Sequence, residues 1–164
     1  MIAIIDYGVG TLRSVEKAFA FIGHKAIISS DPRQILEAEQ VILPGVGAFG
    51  KSMDNLTRAG MVPVVQEVVR SGRPFLGICL GLQMLFEASE EYFGTKGQLV
   101  PGLGIFKGQV AKFAGTGLKI PQIGWNQFNQ VKETPIFHGI PAGSFVYFVH
   151  SYYVKPQDEG IIAC

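Results

Sequence analysis

Cys79 sits at the centre of Gly77-Ile78-Cys79-Leu80-Gly81, a pattern of glycine, any residue, nucleophile, any residue, glycine. This spacing suits a thiol held on a sharp turn between a strand and a helix, because the flanking glycines let the two elements approach without a clashing Cβ. Such a turn lifts the sulfur out at the carboxyl end of the sheet, where open α/β folds bind ligands. A helix beginning at Leu80 would aim its unpaired N–H groups and the positive end of its dipole at the sulfur. Both favour a thiolate, and both favour the oxyanion formed when a thiolate attacks a carbonyl. A buried, inert core thiol is compatible with the same strand position.

Other residues can be read toward the same chemistry. Gly45-Val46-Gly47 lies just past a strand, at the same sheet edge as Cys79. A glycine-rich loop there can turn a backbone N–H toward a carbonyl oxygen bound at the thiol, although an ordinary turn between strand and helix has the same composition. Gln83 follows Cys79 by four residues, one turn along the same helix face. Its primary amide could hold a polar substrate or simply face solvent. His150, in Tyr147-Phe148-Val149-His150-Ser151-Tyr152-Tyr153, is either a polar lip of an active site or a satisfied histidine at a strand end. His24 and His138 adjoin glycines at helix or turn ends and receive no role. No Cys, His and Asp set has metal-ligand spacing, so neither metal nor cofactor is expected.

These residues must be carried by regular elements. Ile2 to Ile5 is a continuously apolar run of the kind buried on both faces of a parallel sheet. A helix is expected from about Leu12, with Thr11 as N-cap, Leu12, Val15, Phe19 and Ile22 on its apolar side, and Gly23 as its stop. Ala26 to Ile28 reads as a second strand, and Asp31-Pro32 as the cap and first residue of a short helix. Val41 to Leu43 is a third strand, Pro63 to Arg70 a helical stretch, Pro74 to Ile78 a fourth strand, and Leu80 to about Glu87 the helix after the thiol. Strands alternating with helices imply parallel pairing with helices on both faces. Beyond Glu90 glycines and prolines become dense, and Gln109–Phe113, Trp125–Gln130 and Phe145–Val154 look like strands without intervening helices. The expected fold is α/β, with an antiparallel extension on a parallel core, in a single domain over residues 1–164.

Composition narrows the function class. With 48% hydrophobic and 16% charged residues the chain can bury a sizeable core. Fourteen basic against thirteen acidic residues give a net charge of +1, which offers no basic patch for nucleic acid. No apolar run approaches the roughly 18 residues of a membrane span. The start, Met1-Ile2-Ala3-Ile4-Ile5-Asp6, reads as a strand rather than a signal peptide. Two cysteines, Cys79 and Cys164, fit a cytoplasmic protein with a free thiol better than a secreted one.

Gly77-Ile78-Cys79-Leu80-Gly81-Leu82-Gln83 resembles the nucleophile motif of the class I (triad) glutamine amidotransferases, whose fold is flavodoxin-like. Asp6 to Val15, Pro44 to Phe49, Pro121 to Asn126 and Tyr147 to Tyr152 resemble segments of one branch, the glutaminase subunits of imidazole glycerol phosphate synthase. Leu82, where most amidotransferases carry histidine, points to the same branch. The resemblance implies a glutaminase in histidine biosynthesis. Cys79 would attack the side-chain amide of glutamine, releasing ammonia and leaving a thioester for water to cleave. The N–H of Leu80 and one from the Gly45–Gly47 loop, after that loop rearranges, would form the oxyanion hole. Gln83 and His150-Ser151-Tyr152 would hold the amino and carboxylate groups of glutamine. Trp125 and Asn126 would face a (β/α)₈ cyclase partner that receives the ammonia and yields imidazole glycerol phosphate and an aminoimidazole carboxamide ribonucleotide.

Thr11 and Gln122 stand where this branch usually has asparagine and histidine, positions that bear on the partner-facing surface. The family's triad is completed by a His-Pro-Glu motif, which does not occur before Cys164. From sequence, then, the chain is expected to stop short of roughly a strand, a loop and a helix, and to be inactive as it stands, with Cys79 lacking its base. Another cysteine hydrolase and a non-catalytic scaffold of the same fold are the rival readings.

Overall fold

The computed structural model describes residues 1–91, 97–115, 117–129, 132–158 and 160–161. Strands β1 (Ile2–Ile5), β2 (Ala26–Ser29), β3 (Gln40–Gly45) and β4 (Phe75–Cys79) form a parallel sheet in the order β2-β1-β3-β4. Alternation along these strands divides the apolar residues between two faces. Ala3, Ile5, Val41 and Leu43 join one cluster with Ile35, Leu56, Met61, Val64, Val65 and Val68. Ile2, Ile4 and Ile42 join another with Leu12, Val15 and Phe19. The first face is therefore covered by helices α2 (Pro32–Glu37), α3 (Phe49–Arg58) and α4 (Met61–Arg70), the second by α1 (Leu12–Phe21).

Local chemistry accounts for most boundaries. Asp31 caps α2 by accepting from the Arg33 N–H at 2.9 Å, with Pro32 at the first helical position, an arrangement that contributes about 1 kcal/mol. Thr11 precedes α1 as expected, but its side chain makes no capping bond; its carbonyl accepts from Ser14 and Val15 instead. Ile22 lies past the end of α1 and is exposed. Helix α3 has no counterpart in the sequence reading. Its buried side includes Gly50 and Ser52 beside Phe49 and Leu56, which dilutes the apolar period that would reveal it. Gly60, at φ +68°, separates it from α4, and Pro63 is tolerated in the first turn of α4 because no intrahelical donor is required there.

The helix after Cys79 is one turn, α5 (Leu80–Gln83), rather than a helix to Glu87. The chain turns into strand β5 (Phe86–Ser89), where Phe86 is buried against Phe106 with ring centroids 5.8 Å apart. Burial in a second sheet overrides the local helical tendency. That sheet has the order β10-β7-β5-β6, built with β6 (Val100–Pro101), β7 (Phe106–Lys112) and β10 (Tyr152–Pro156). Its pairs are antiparallel except β5 with β7, which run parallel. Strands β8 (Gln122–Gln127) and β9 (Phe145–His150) form a separate antiparallel ribbon. The expected Trp125–Gln130 strand thus starts earlier and ends at Gln127, and Phe145–Val154 is two strands broken at Ser151. The apolar run at the C-terminus falls, from Ile162 to Cys164, outside the described residues. Among those described, no helix is long and apolar enough to cross a membrane.

Candidate active site

Strand β4 delivers Cys79 to the carboxyl edge of the parallel sheet, where it pairs in register with Gly45 at the end of β3. Among the described residues Cys79 is the one non-glycine with positive φ, at 54°, and its side chain is exposed. An L-residue held there stores on the order of 1–3 kcal/mol of strain, a cost found where a side chain must be aimed. The surrounding glycines show what holds it. A Cβ on Gly81 would overlap the Leu43 carbonyl oxygen. One on Gly77 would come within 2.7 Å of the Leu82 backbone, and one on Gly45 within 2.7 Å of the Gly81 nitrogen. Strand β3, the thiol turn and α5 are in backbone contact, and only glycines permit it. With α5 cut to one turn, the dipole expected of a longer helix shrinks. What remains is the set of N–H groups in that turn, those of Leu80 and Gly81 nearest the thiol.

A cleft of about 450 Å³ opens over the sulfur. Gly47, Cys79, Leu80 and Gln83 line it from the sheet side, and His150, Ser151 and Tyr152 from the junction of β9 and β10. Gly45 lies beneath, buried. The two sides are tied together. Gln83 Nε2 donates to the Tyr152 carbonyl at 3.3 Å, and His150 Nδ1 meets the same oxygen at 3.0 Å. A carbonyl only accepts, so Nδ1 is the donor in that contact. Phe113 packs edge-on against that ring at 5.1 Å.

Glu91 also lines the cleft, and the sequence reading passed over it. Its Oε2 accepts from the Phe49 N–H at 2.9 Å, at the start of α3. No local signal could have singled it out, because that bond spans 42 residues. Val46, Pro121 and Val149 complete the apolar part of the lining. Trp125 and Asn126 do not reach the cleft. They lie on β8, where Trp125 is 68% exposed and packs edge-on against Tyr147 at 5.5 Å, and Asn126 Oδ1 accepts from Gln122 Nε2 at 2.7 Å. The same ribbon carries His150, paired with Gln122. A second cleft of about 470 Å³ between α3, α4 and β6 is lined by Asp54, Thr57, Gln66 and Gln98, with no cysteine, serine or histidine among its lining residues. Among the described residues no group of three or more His, Cys, Asp or Glu side chains is gathered for a metal ion.

Residues 3–163 match the family model "Glutamine amidotransferase class-I". The chain belongs to the class I glutamine amidotransferases. Within the family, this amidotransferase is 48% identical over 169 residues to an imidazole glycerol phosphate synthase subunit HisH from Syntrophotalea carbinolica, covering 99% of this chain and 80% of that protein. It is 49% identical over 164 residues to the HisH subunit of Thermosynechococcus vestitus, covering 99% and 76%. The subunit of the same name from Bacillus cereus is 50% identical over 159 residues, covering 97% and 73%. Among solved structures, a glutamine amidotransferase superposes with a TM-score of 0.69 at 18% identity, covering 98% of this chain and 77% of that one. A glutamine amidotransferase of Thermotoga maritima superposes with a TM-score of 0.56, also at 18% identity, covering 95% and 63%. At those identities the superpositions establish the fold of the amidotransferase and nothing finer.

Proposed function

We propose that this chain is the glutaminase subunit of an imidazole glycerol phosphate synthase, hydrolysing glutamine at Cys79 and passing ammonia to a (β/α)₈ cyclase partner. The observation that carries this reading is the convergence of Cys79, Gln83, Gly47 and His150 to Tyr152 on one cleft, in a chain of this family. The Cys79 thiolate attacks the side-chain amide carbon, and the carbonyl oxygen becomes an oxyanion facing the N–H of Leu80 and one from the Gly45–Gly47 loop. Collapse breaks the carbon–nitrogen bond, the nitrogen takes up a proton and leaves as ammonia, and a glutamyl thioester remains. Water adds to the thioester, glutamate departs, and the thiol is restored.

The other lining residues suit the invariant end of glutamine. Glu91 is the one carboxylate at the cleft among the described residues and pairs with the α-ammonium group. The Gln83 amide and the Ser151–Tyr152 stretch serve the α-carboxylate. His150 is assigned to the substrate rather than to proton transfer. The resemblance gives that task to a His-Pro-Glu histidine, and residues 1–164 contain no such motif. Trp125, Asn126 and Tyr147 present an exposed aromatic and amide surface suited to the cyclase. A cytoplasmic location suits a reactive free thiol.

The test is Cys79→Ala, assayed with the cyclase present. Glutamine-dependent synthesis should disappear while synthesis from added ammonia continues, because the cyclase chemistry resides in the partner. Retained glutamine-dependent turnover would remove Cys79 from the reaction.

A further inference from the structure

The wall of the cleft facing Cys79 is a break between two strands. Strand β9 ends at His150, β10 begins at Tyr152, and Ser151 lies between them. In the order β10-β7-β5-β6, β10 stands at an edge of its sheet and pairs with β7. The N–H of Phe113, the residue after β7, donates to the Ser151 carbonyl at 3.1 Å. Carbonyls alternate in direction along an extended strand, so the Tyr152 carbonyl turns the other way. There it accepts from Gln83 Nε2 at 3.3 Å and from His150 Nδ1 at 3.0 Å. A slip of one residue would exchange the two carbonyls and take this pair of donors away from Tyr152.

The register of β7 and β10 sets Tyr152 opposite Lys112 and Tyr153 opposite Ala111. Phe113 therefore falls opposite Ser151 and diagonal to Tyr153, and diagonal neighbours on one sheet face are within reach of aromatic rings. The Phe113 ring stacks on Tyr153, with centroids 4.9 Å apart and planes at 15°, and meets the His150 ring edge-on at 5.1 Å. His150 and Tyr153 bracket Ser151 and Tyr152, so one ring touches both ends of the stretch that lines the cleft. Tyr152 and Val154 pack instead on the main apolar cluster. Phe113 itself is not among the described residues that line the cleft.

We propose that Phe113 is a positioning residue for glutamine: its N–H and its ring fix the His150-Ser151-Tyr152 turn, so that this turn and Gln83 meet the substrate as one preformed wall. This rests on the glutaminase reading, since it takes the wall to hold the α-carboxylate. A core role would place Phe113 in an apolar cluster. Among the described residues it joins neither cluster, and its ring contacts are with the two residues that bracket the wall. A preformed wall lowers the cost of ordering the site on binding. Its loss therefore weakens the hold on substrate and leaves the thiol as reactive as before.

The experiment compares Phe113→Ala, Phe113→Leu and Phe113→Tyr in the chain assembled with its cyclase. A diazoketone analogue of glutamine labels Cys79, and the dependence of the rate on its concentration separates KI from the maximal rate. Phe113→Ala keeps the N–H and loses the ring, so KI should rise about tenfold, the scale of an aromatic pair, with the maximal rate little changed. Phe113→Leu, apolar but without a ring to stack, should show most of that rise. Phe113→Tyr keeps the ring and should hold KI within about twofold of wild type. Iodoacetamide has no amino-acid end, so its alkylation of the Cys79 peptide should proceed at the wild-type rate in all three. A wild-type KI in Phe113→Ala or Phe113→Leu would overturn the proposal. So would an equal loss of iodoacetamide alkylation and analogue labelling, which would make Phe113 a residue of the fold alone. Labelling of wild type that does not saturate, or that glutamine fails to suppress, would instead refute the glutaminase reading, and it shows without any variant.

Discussion

Gly45→Ala adds one methyl group where β3 meets the thiol turn. The new Cβ would stand 2.7 Å from the Gly81 nitrogen and 3.0 Å from both the Leu80 carbonyl carbon and the Leu80 Cβ. Ordinary contact begins near 3.4 Å, so backbone must yield by about 0.7 Å. The neighbours are main-chain atoms of a packed turn, not flexible side-chain ends, and the φ of Gly45 lies outside the left-handed region, so the penalty is steric. Overpacking of this kind costs about 1–3 kcal/mol, which for a chain of this size lowers Tm by about 2–4 °C per kcal/mol. The larger effect is on geometry. A displacement near 1 Å at a reacting group costs on the order of 10²-fold in rate, so kcat for glutamine should fall by about that factor with Cys79 still present. Steady-state glutamine hydrolysis with the cyclase bound, alongside calorimetry of the isolated chain, measures both. Wild-type turnover and an unchanged Tm would refute the contact and the placement of the loop against Cys79.

Trp125→Ala should weaken binding to the cyclase by about 2 kcal/mol, the scale of an aromatic anchor at an interface, and leave Tm of the isolated chain unchanged because the indole is 68% exposed. Titration calorimetry and thermal unfolding check the two halves. His150→Gln should raise KM for glutamine at least as much as it lowers kcat; a loss of about 10²–10⁴-fold in kcat alone would instead mark His150 as the general base. Glu91→Gln should raise KM for glutamine while a substrate analogue lacking the α-amino group binds wild type and variant alike, as competition assays would show.

The parallel core was legible because its strands are short apolar runs bounded by turn residues, as Ile2 to Ile5 and Val41 to Leu43 illustrate, and because Asp31-Pro32 states its own cap. Cys79 was legible for a steric reason: the glycines that permit the turn stand at fixed offsets from it. What could not be read was set by distant partners. Phe86 looked like the continuation of a helix until burial against Phe106 made it a strand residue. Ser52 gave α3 a polar residue on its buried side, since its partner is the Val46 carbonyl rather than an apolar core. Glu91 reaches the site across a 42-residue separation, which no local pattern encodes. The roles of Ser151, Tyr152, Trp125 and Asn126 came from family resemblance and not from their spacing.

The claim that Cys79 forms a thioester with glutamine is tested most directly by an electrophilic glutamine analogue and mass spectrometry of the intact and digested protein. The account predicts one adduct per chain, on the peptide containing Cys79. Glutamine should suppress it, asparagine should not, and Cys164 should remain unmodified as an internal control. Labelling that falls equally on both cysteines, or that glutamine fails to suppress, would contradict it.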